Sequence, residues 1–316
     1  MNNITISGAI GLSILKNGLK KVYIFNDDHS NINYCKRGVF LPSYLENIDN
    51  NLDTTILLEE PFIEDDTKLK YLWKETPHVE LSRKHYDNTI KKCLTTGICY
   101  TFPIDIRLCL VDFSLDDIYA NIENEEYFLD LNMTIDEYLR YIKYLFNNND
   151  LELDEKNKEK NIFFIKNIFE KFKETYYYYY LKKRFDEFYS KFINHKKHMQ
   201  IRDFIRLNNN KSYEFCEGYP FNNSNHHVFI DQYDKLINGI MEFYICILIF
   251  GISRNNTVIY TGYYHGNNLA YILKNIYRFE LIKEYGVTRD IEKHLTLINI
   301  SNCLQIDKKY FINKKN

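Results

Sequence analysis

The tightest constraint on this chain comes from a few short, unbroken apolar runs, rich in β-branched and aromatic residues and set far apart. Val22-Tyr23-Ile24-Phe25, Thr54-Thr55-Ile56-Leu57-Leu58 and Thr257-Val258-Ile259-Tyr260-Thr261 are the clearest. A run without polar alternation suits a strand covered on both faces, and strands separated by helical stretches are joined by crossovers, which makes the sheet parallel. Residues 99–106 form a fourth run, and Pro103 inside it lacks the N–H a central ladder needs, which assigns that strand to an edge or a bulge. Residues 3–9 read as an opening strand or hairpin arm, with Gly8 and Gly11 marking a turn. The first third therefore runs strand, helix, strand, helix, strand, with helical spacing over 39–48, 68–73 and 86–94.

From about 113 to 235 the period changes. Apolar residues recur at three and four positions, as in Tyr138, Tyr141, Ile142 and Leu145, and charges fill the other faces. The last quarter returns to α/β character, with a long helix over 227–250, a strand over 257–261, an amphipathic helix over 268–279 and an alternating strand over 295–300. The expected fold class is α/β: a central, mostly parallel sheet with flanking helices and a large helical insertion. The core would comprise 1–112 and 236–316, and the insertion 113–235. With 316 residues, such a chain buries a full core without staples.

Composition excludes several classes. Hydrophobic residues at 45% and charged residues at 27% are ordinary globular usage, and a net charge of −2 gives no global attraction to nucleic acid or acidic membranes. Tyr (28) and Phe (22) are abundant and Gly (11), Pro (5) and Trp (1) scarce, a skew toward AT-rich codons that fits a large AT-rich virus or protist and also accounts for the tyrosine run at 176–180. The seven cysteines (Cys35, Cys93, Cys99, Cys109, Cys216, Cys246 and Cys303) form no CxxC pair and read as thiols in a reducing compartment. No secretory leader is read in 1–16, and the most apolar window, 236–252, is short for a membrane span and interrupted by Asn238 and Glu242, so it reads as a buried helix. An intracellular protein is expected. No Walker loop, Gly-rich dinucleotide turn or nucleophile elbow is present.

The apolar runs share one feature with chemical content: they end in acids or histidine. The ends are Asp27-Asp28-His29, Glu59-Glu60, Asp105 with Arg107, and His265 after Gly262. In open α/β sheets ligands bind outside the carboxyl ends of the strands, where adjacent loops converge. Neighbouring strands would gather carboxylates, imidazoles and a guanidinium into one site suited to divalent-metal binding with water activation, or to carboxylate acid/base catalysis. His29, Glu59 and His265 would be metal ligands or acid/base groups, with Asp28, Glu60, Asp105 and Arg107 as catalytic groups around them. Zinc, manganese or iron fits that donor set.

The segments Ile4-Thr5-Ile6-Ser7-Gly8-Ala9-Ile10, Val22 through His29, Leu57-Leu58-Glu59-Glu60-Pro61, Ile104-Asp105-Ile106-Arg107 and Ile259 through His265 resemble uncharacterised proteins of giant, mimivirus-like DNA viruses. More distantly, the strand-end acid and histidine elements look like the Tiki and erythromycin-esterase-like superfamily, which includes metal-dependent proteases, esterases and haem-uptake proteins. The resemblance implies a viral protein of the host cytoplasm or virion, a metal-assisted hydrolase with His29, Glu59 or Glu60, and His265 at its site and Asp27 or Asp28 in place of the first acid. Two features depart from the pattern: Asn26 stands where glycine is usual, and Tyr263 and Tyr264 fill places where an acid is common in the viral relatives. The alternative is therefore a non-catalytic binding or virion-associated protein that retains the fold.

Other features carry less. Residues 181–207 hold eight basic side chains among aromatics, a pattern that usually means a helix with a solvated basic face, so nucleic acid is not an expected partner. His195 and His198 share a helical face without a third ligand nearby, and His226-His227 precede the long helix as a capping feature. No membrane partner is expected, and the sequence leaves the substrate and oligomeric state open.

Overall fold

The structure is a computed structural model that describes residues 3–28, 35, 37–48, 53–61, 87, 100–107, 110, 133–146, 162–196, 198–200, 203, 225–289 and 303–310. They fall into two compact units, one of Met1–Phe62, Trp73–Asp105 and Ile245–Asn316, the other of Ile63–Leu72 and Ile106–Tyr244. The fold is mixed α/β, with six α-helices and a mostly parallel six-stranded sheet among the described residues.

The first unit holds the sheet. Its strands are β2 (Gly11–Asn17), β3 (Lys20–Asp27), β5 (Thr54–Pro61), β6 (Thr101–Asp105), β7 (Asn256–Gly262) and β8 (Glu280–Gly286), in the order β6-β5-β7-β3-β2-β8. The pairings β6–β5, β5–β7 and β7–β3 are parallel, and β3–β2 and β2–β8 antiparallel. Strand β6, with Pro103, lies at the edge. Strands β2 and β3 form a tight hairpin that pairs Asn17 with Lys20, and Gly18 takes the positive φ of 59° that its first turn position demands. A smaller sheet, β4-β1-β9, consists of β1 (Asn3–Ser7), β4 (Val39–Phe40) and β9 (Cys303–Asp307).

Alternation divides each central strand between two layers. Leu12 and Ile14, Tyr23 and Phe25, Ile56 and Leu58, and Val258 and Tyr260 pack in one core with Ile6, Leu304 and Ile306 of the small sheet and with Leu41, Tyr44, Leu45 and Ile48 of α1 (Leu41–Ile48). The opposite face meets α6 (Tyr263–Asn275), whose Leu269, Ile272 and Leu273 are buried. Helix α6 comes so close to β3 that a Cβ on Gly266 would lie 2.0 Å from Asn26 Oδ1 and 3.2 Å from Ile24 Cγ2. At the amino edge of the sheet, Lys20 Nζ donates to the carbonyls of Ile252 (2.7 Å) and Arg254 (2.6 Å), where the preceding helix ends. Burial lowers the Lys20 pKa, an effect Asp53 opposes.

Cys35 and Cys303 form a disulfide across 268 residues, contrary to the expectation of seven thiols. Both cysteines are drawn to Ser7: Cys303 is its register partner in β9, and the Cys35 N–H donates to Ser7 Oγ at 3.0 Å. Spacing along the chain carries no trace of that meeting.

The second unit is helical where described: α2 (Ile135–Lys143), α3 (Ile162–Lys171), α4 (Tyr176–Lys196) and most of α5 (Asn225–Gly251), which continues into the first unit from Ile245. The rest of the expected insertion over 113–235, the expected helix at 68–73, the expected helix at 86–94 apart from Asp87 and the expected strand at 295–300 lie outside the described residues. Helix α2 opens with a capping box in which Thr134 and Glu137 satisfy each other's backbone N–H. The tyrosine run winds into α4 with Tyr177 and Tyr178 buried and Tyr176, Tyr179 and Tyr180 exposed. Aromatics fill this core, with Phe146 stacked on Phe185 at 5.3 Å and Phe169 edge-on to Phe243 at 4.9 Å. Glu242, buried on α5, accepts from Tyr177 Oη at 3.5 Å. No helix among the described residues is long and apolar enough to cross a membrane.

Closing so long a loop restricts the unfolded chain, and Cys303→Ser is expected to cost about 2–5 kcal/mol of unfolding free energy in urea under oxidising conditions. Equal stability of variant and wild type would remove the disulfide from the account. Burial first, and then the Glu170 carboxylate, push the Tyr178 phenol from 10.0 up to about 12. The folded state thus keeps a proton that the unfolded chain releases, so this contribution is complete below pH 10 and is lost as pH rises toward about 12. Tyr178→Phe should lose stability less steeply than wild type across that window in pH-dependent urea melts.

Candidate functional site

The four parallel strands β6, β5, β7 and β3 are consecutive neighbours, so their carboxyl ends form one edge. Register aligns those ends: Leu58 lies beside Tyr260, which lies beside Phe25, and Asp27 lies beside Gly262. The next residues after that first row, Glu59, Thr261 and Asn26, therefore turn together toward the α6 face.

Glu59 is the pivot of this edge. Its Oε2 accepts from Thr261 Oγ1 at 2.5 Å and from the Gly262 N–H at 2.6 Å. Gly262 is the N-cap of α6 and offers no capping side chain, and the first turn of α6 has no acid of its own. A carboxylate from the neighbouring strand thus supplies the negative charge that the positive end of the helix favours. The other oxygen, Oε1, lies 3.7 Å from His265 Nε2. That separation is too long for a hydrogen bond and short enough for the carboxylate to act electrostatically on the ring. Glu59 and His265 are 8% and 7% exposed, so any field between them is only weakly screened.

Helix α6 starts directly at the strand end, which places His265 in its first turn rather than on a loop. Gly266 follows, and its missing side chain lets that turn settle on Asn26. The adjacent glutamates occupy an irregularity in β5: between Leu58 and Pro61 the strand advances three residues while β6 advances two, from Pro103 to Asp105. An extra residue of this kind re-aims side chains at a strand end.

The expected site residues are distributed accordingly. The fold brings Glu59 and His265 together. Glu60 is buried within the β5 irregularity. Asp105 is buried at the end of β6, one strand beyond Glu59 and about 10 Å across the sheet from β7. Its register partner in β5 is Pro61, on the far side of the irregularity from Leu58. Asp28 is half-exposed just past β3. Arg107 belongs to the second unit, where its Nη1 donates to Asn238 Oδ1 at 3.4 Å. His29 lies outside the described residues.

Among the described residues, no group of three or more His, Cys, Asp or Glu could hold a metal ion. Glu59 Oε1 and His265 Nε2 are donor types that zinc, manganese and iron accept, yet two donors do not make a centre. Of the other histidines considered in the sequence, His198 is exposed.

Thr261 and Gly266 were not singled out from the sequence, and Asn26 was noted only as standing where glycine is usual. Thr261 could have been: in a parallel pair, residues of equal register face the same side, so a strand-end glutamate implies a partner on the next strand. The contact of Asn26 with Gly266 depends on the approach of a helix and leaves no pattern in the chain.

No protein-family model, curated protein or solved structure matches this chain.

Removing the Glu59 carboxylate would leave the Thr261 hydroxyl and the Gly262 N–H buried without their acceptor. Glu59→Ala should lower the unfolding free energy by about 3 kcal/mol in chemical denaturation. A loss below about 0.5 kcal/mol, typical of a surface substitution, would contradict the cap.

Proposed function

We propose that this chain is a hydrolase acting at the carboxyl edge of its six-stranded sheet, with Glu59 and His265 as the working pair. The observation that carries the reading is the approach of Glu59 Oε1 to His265 Nε2 at 3.7 Å, at the N-terminus of a half-buried helix where neighbouring parallel strands end. A carboxylate beside an imidazole stabilises the cation that forms when the ring takes a proton, which is what a base withdrawing a proton from water requires. Thr261 and Gly262 anchor the far oxygen, so the near one is presented at a fixed place. With both residues largely buried, the proposal takes water as the molecule that is activated.

The same reading includes the metal expectation. Glu59 and His265 would contribute two ligands and His29 the third, with Asp28, Glu60, Asp105 and Arg107 as surrounding groups. A divalent metal there would supply an acidified water. The donors described so far do not complete such a centre, and the acid/base roles above do not depend on one. A giant-virus origin, a large helical insertion and kinship with the Tiki and erythromycin-esterase-like superfamily belong to this proposal. It draws support from the placement of Asp27-Asp28, Glu59-Glu60 and Gly262 through His265 at the ends of the neighbouring strands β3, β5 and β7.

A second reading has its own observation. Glu59 is engaged by β7 and the α6 cap and is buried, as in a structural clasp, which suits a binding or virion-associated protein that kept the fold without the chemistry.

Turnover of p-nitrophenyl acetate and bis(p-nitrophenyl) phosphate separates the two, measured with elemental analysis of wild type, His29→Ala and His265→Ala. The hydrolase reading predicts a loss of about 10²–10⁴-fold in kcat for His265→Ala at unchanged folding. Equal metal content and equal turnover in all three proteins, or no turnover in the wild type, would leave the structural reading.

A further inference from the structure

We infer that Thr261 is a positioning residue that selects which oxygen of Glu59 faces His265; the inference rests on the proposed pairing of those two groups. The hydroxyl of Thr261 is fully buried and donates its single proton to Glu59 Oε2 at 2.5 Å. The Gly262 N–H reaches the same oxygen at 2.6 Å. Two donors on one oxygen fix the rotation of the carboxylate about its last bond, and the remaining oxygen is left at 3.7 Å from His265 Nε2. Without the Thr261 hydroxyl Oε2 loses one of these two donors, and the distance of Oε1 from the ring is set less tightly.

The ring is held independently. His265 precedes Gly266, whose bare Cα lets the first turn of α6 rest against Asn26. Asn26 is 1% exposed, its Nδ2 donates to the Val287 carbonyl at 3.2 Å, and its Oδ1, without a hydrogen-bond partner, lies against Gly266. The helix is therefore seated by β3, and the carboxylate is aimed by β7. Thr261 can be altered without touching the seat of the imidazole, which allows its role to be separated from simple packing.

The test is the ¹⁵N signal of the His265 ring in the full-length protein, compared among wild type, Thr261→Val, Thr261→Ser and Glu59→Gln, with circular dichroism to confirm folding. Valine keeps the branched shape and loses the donor; serine keeps the donor. Thr261→Val should move the ring signal toward that of Glu59→Gln, and Thr261→Ser should restore it. A wild-type signal in Thr261→Val, while Glu59→Gln shifts, would overturn the positioning role and leave the pair intact. If Glu59→Gln itself leaves the ring signal in place, the pairing fails and the proposed function with it. Should Thr261→Val not fold, Thr261→Ala takes its place with the same outcomes.

Discussion

A carboxylate withdrawn from water must be met by donors or it will not stay ionised, and Glu59 is met by two on one oxygen. That requirement connects three elements of the first unit. Strand β5 carries the charge, β7 supplies the Thr261 hydroxyl, and α6 supplies its cap N–H and, as the third residue of its first turn, the imidazole. The helix has neither a capping side chain nor an acid in its opening turn, so a neighbouring strand completes it. The candidate chemistry and the local architecture are thus one arrangement: what ends the strands also starts the helix.

The sheet also divides the residues at that edge between its two faces. Parallel register and alternation put Asn26, Thr261 and Glu59 on the α6 side, and Phe25, Tyr260 and Leu58 against α1 and the small sheet. Gathering at one edge does not by itself amount to gathering at one point, and there Glu59 and His265 approach to 3.7 Å.

Much of the sheet was legible. The compact runs at Val22–Phe25, Thr54–Leu58 and Thr257–Thr261 became β3, β5 and β7, because continuous apolarity requires cover on both faces, and Pro103 marked β6 as an edge. The sequence reading did not assign β2, β8 or β9. Gly11–Asn17 lacks a long apolar run, Glu280–Gly286 mixes charges with Leu281 and Ile282 at the sheet margin, and Cys303–Asp307 alternates over only five residues. Helix α6 begins earlier than the apolar spacing suggested, since Tyr263 through Gly266 bear no helical signature of their own and are held by contacts with β3 and β5. Glu59 and His265 were visible as strand-end polar groups. Their pairing depends on β5 lying next to β7, an adjacency that connects residues 202 to 203 positions apart at Thr261 and Gly262 and that no local pattern encodes.

The central claim is that Glu59 and His265 interact energetically across the β5–α6 junction. A double-mutant cycle with Glu59→Gln and His265→Asn, followed by urea unfolding of all four proteins, measures that interaction directly. The account predicts a coupling of about 1 kcal/mol or more between the two sites. Effects that add to within about 0.3–0.5 kcal/mol would show two independent buried groups and contradict it.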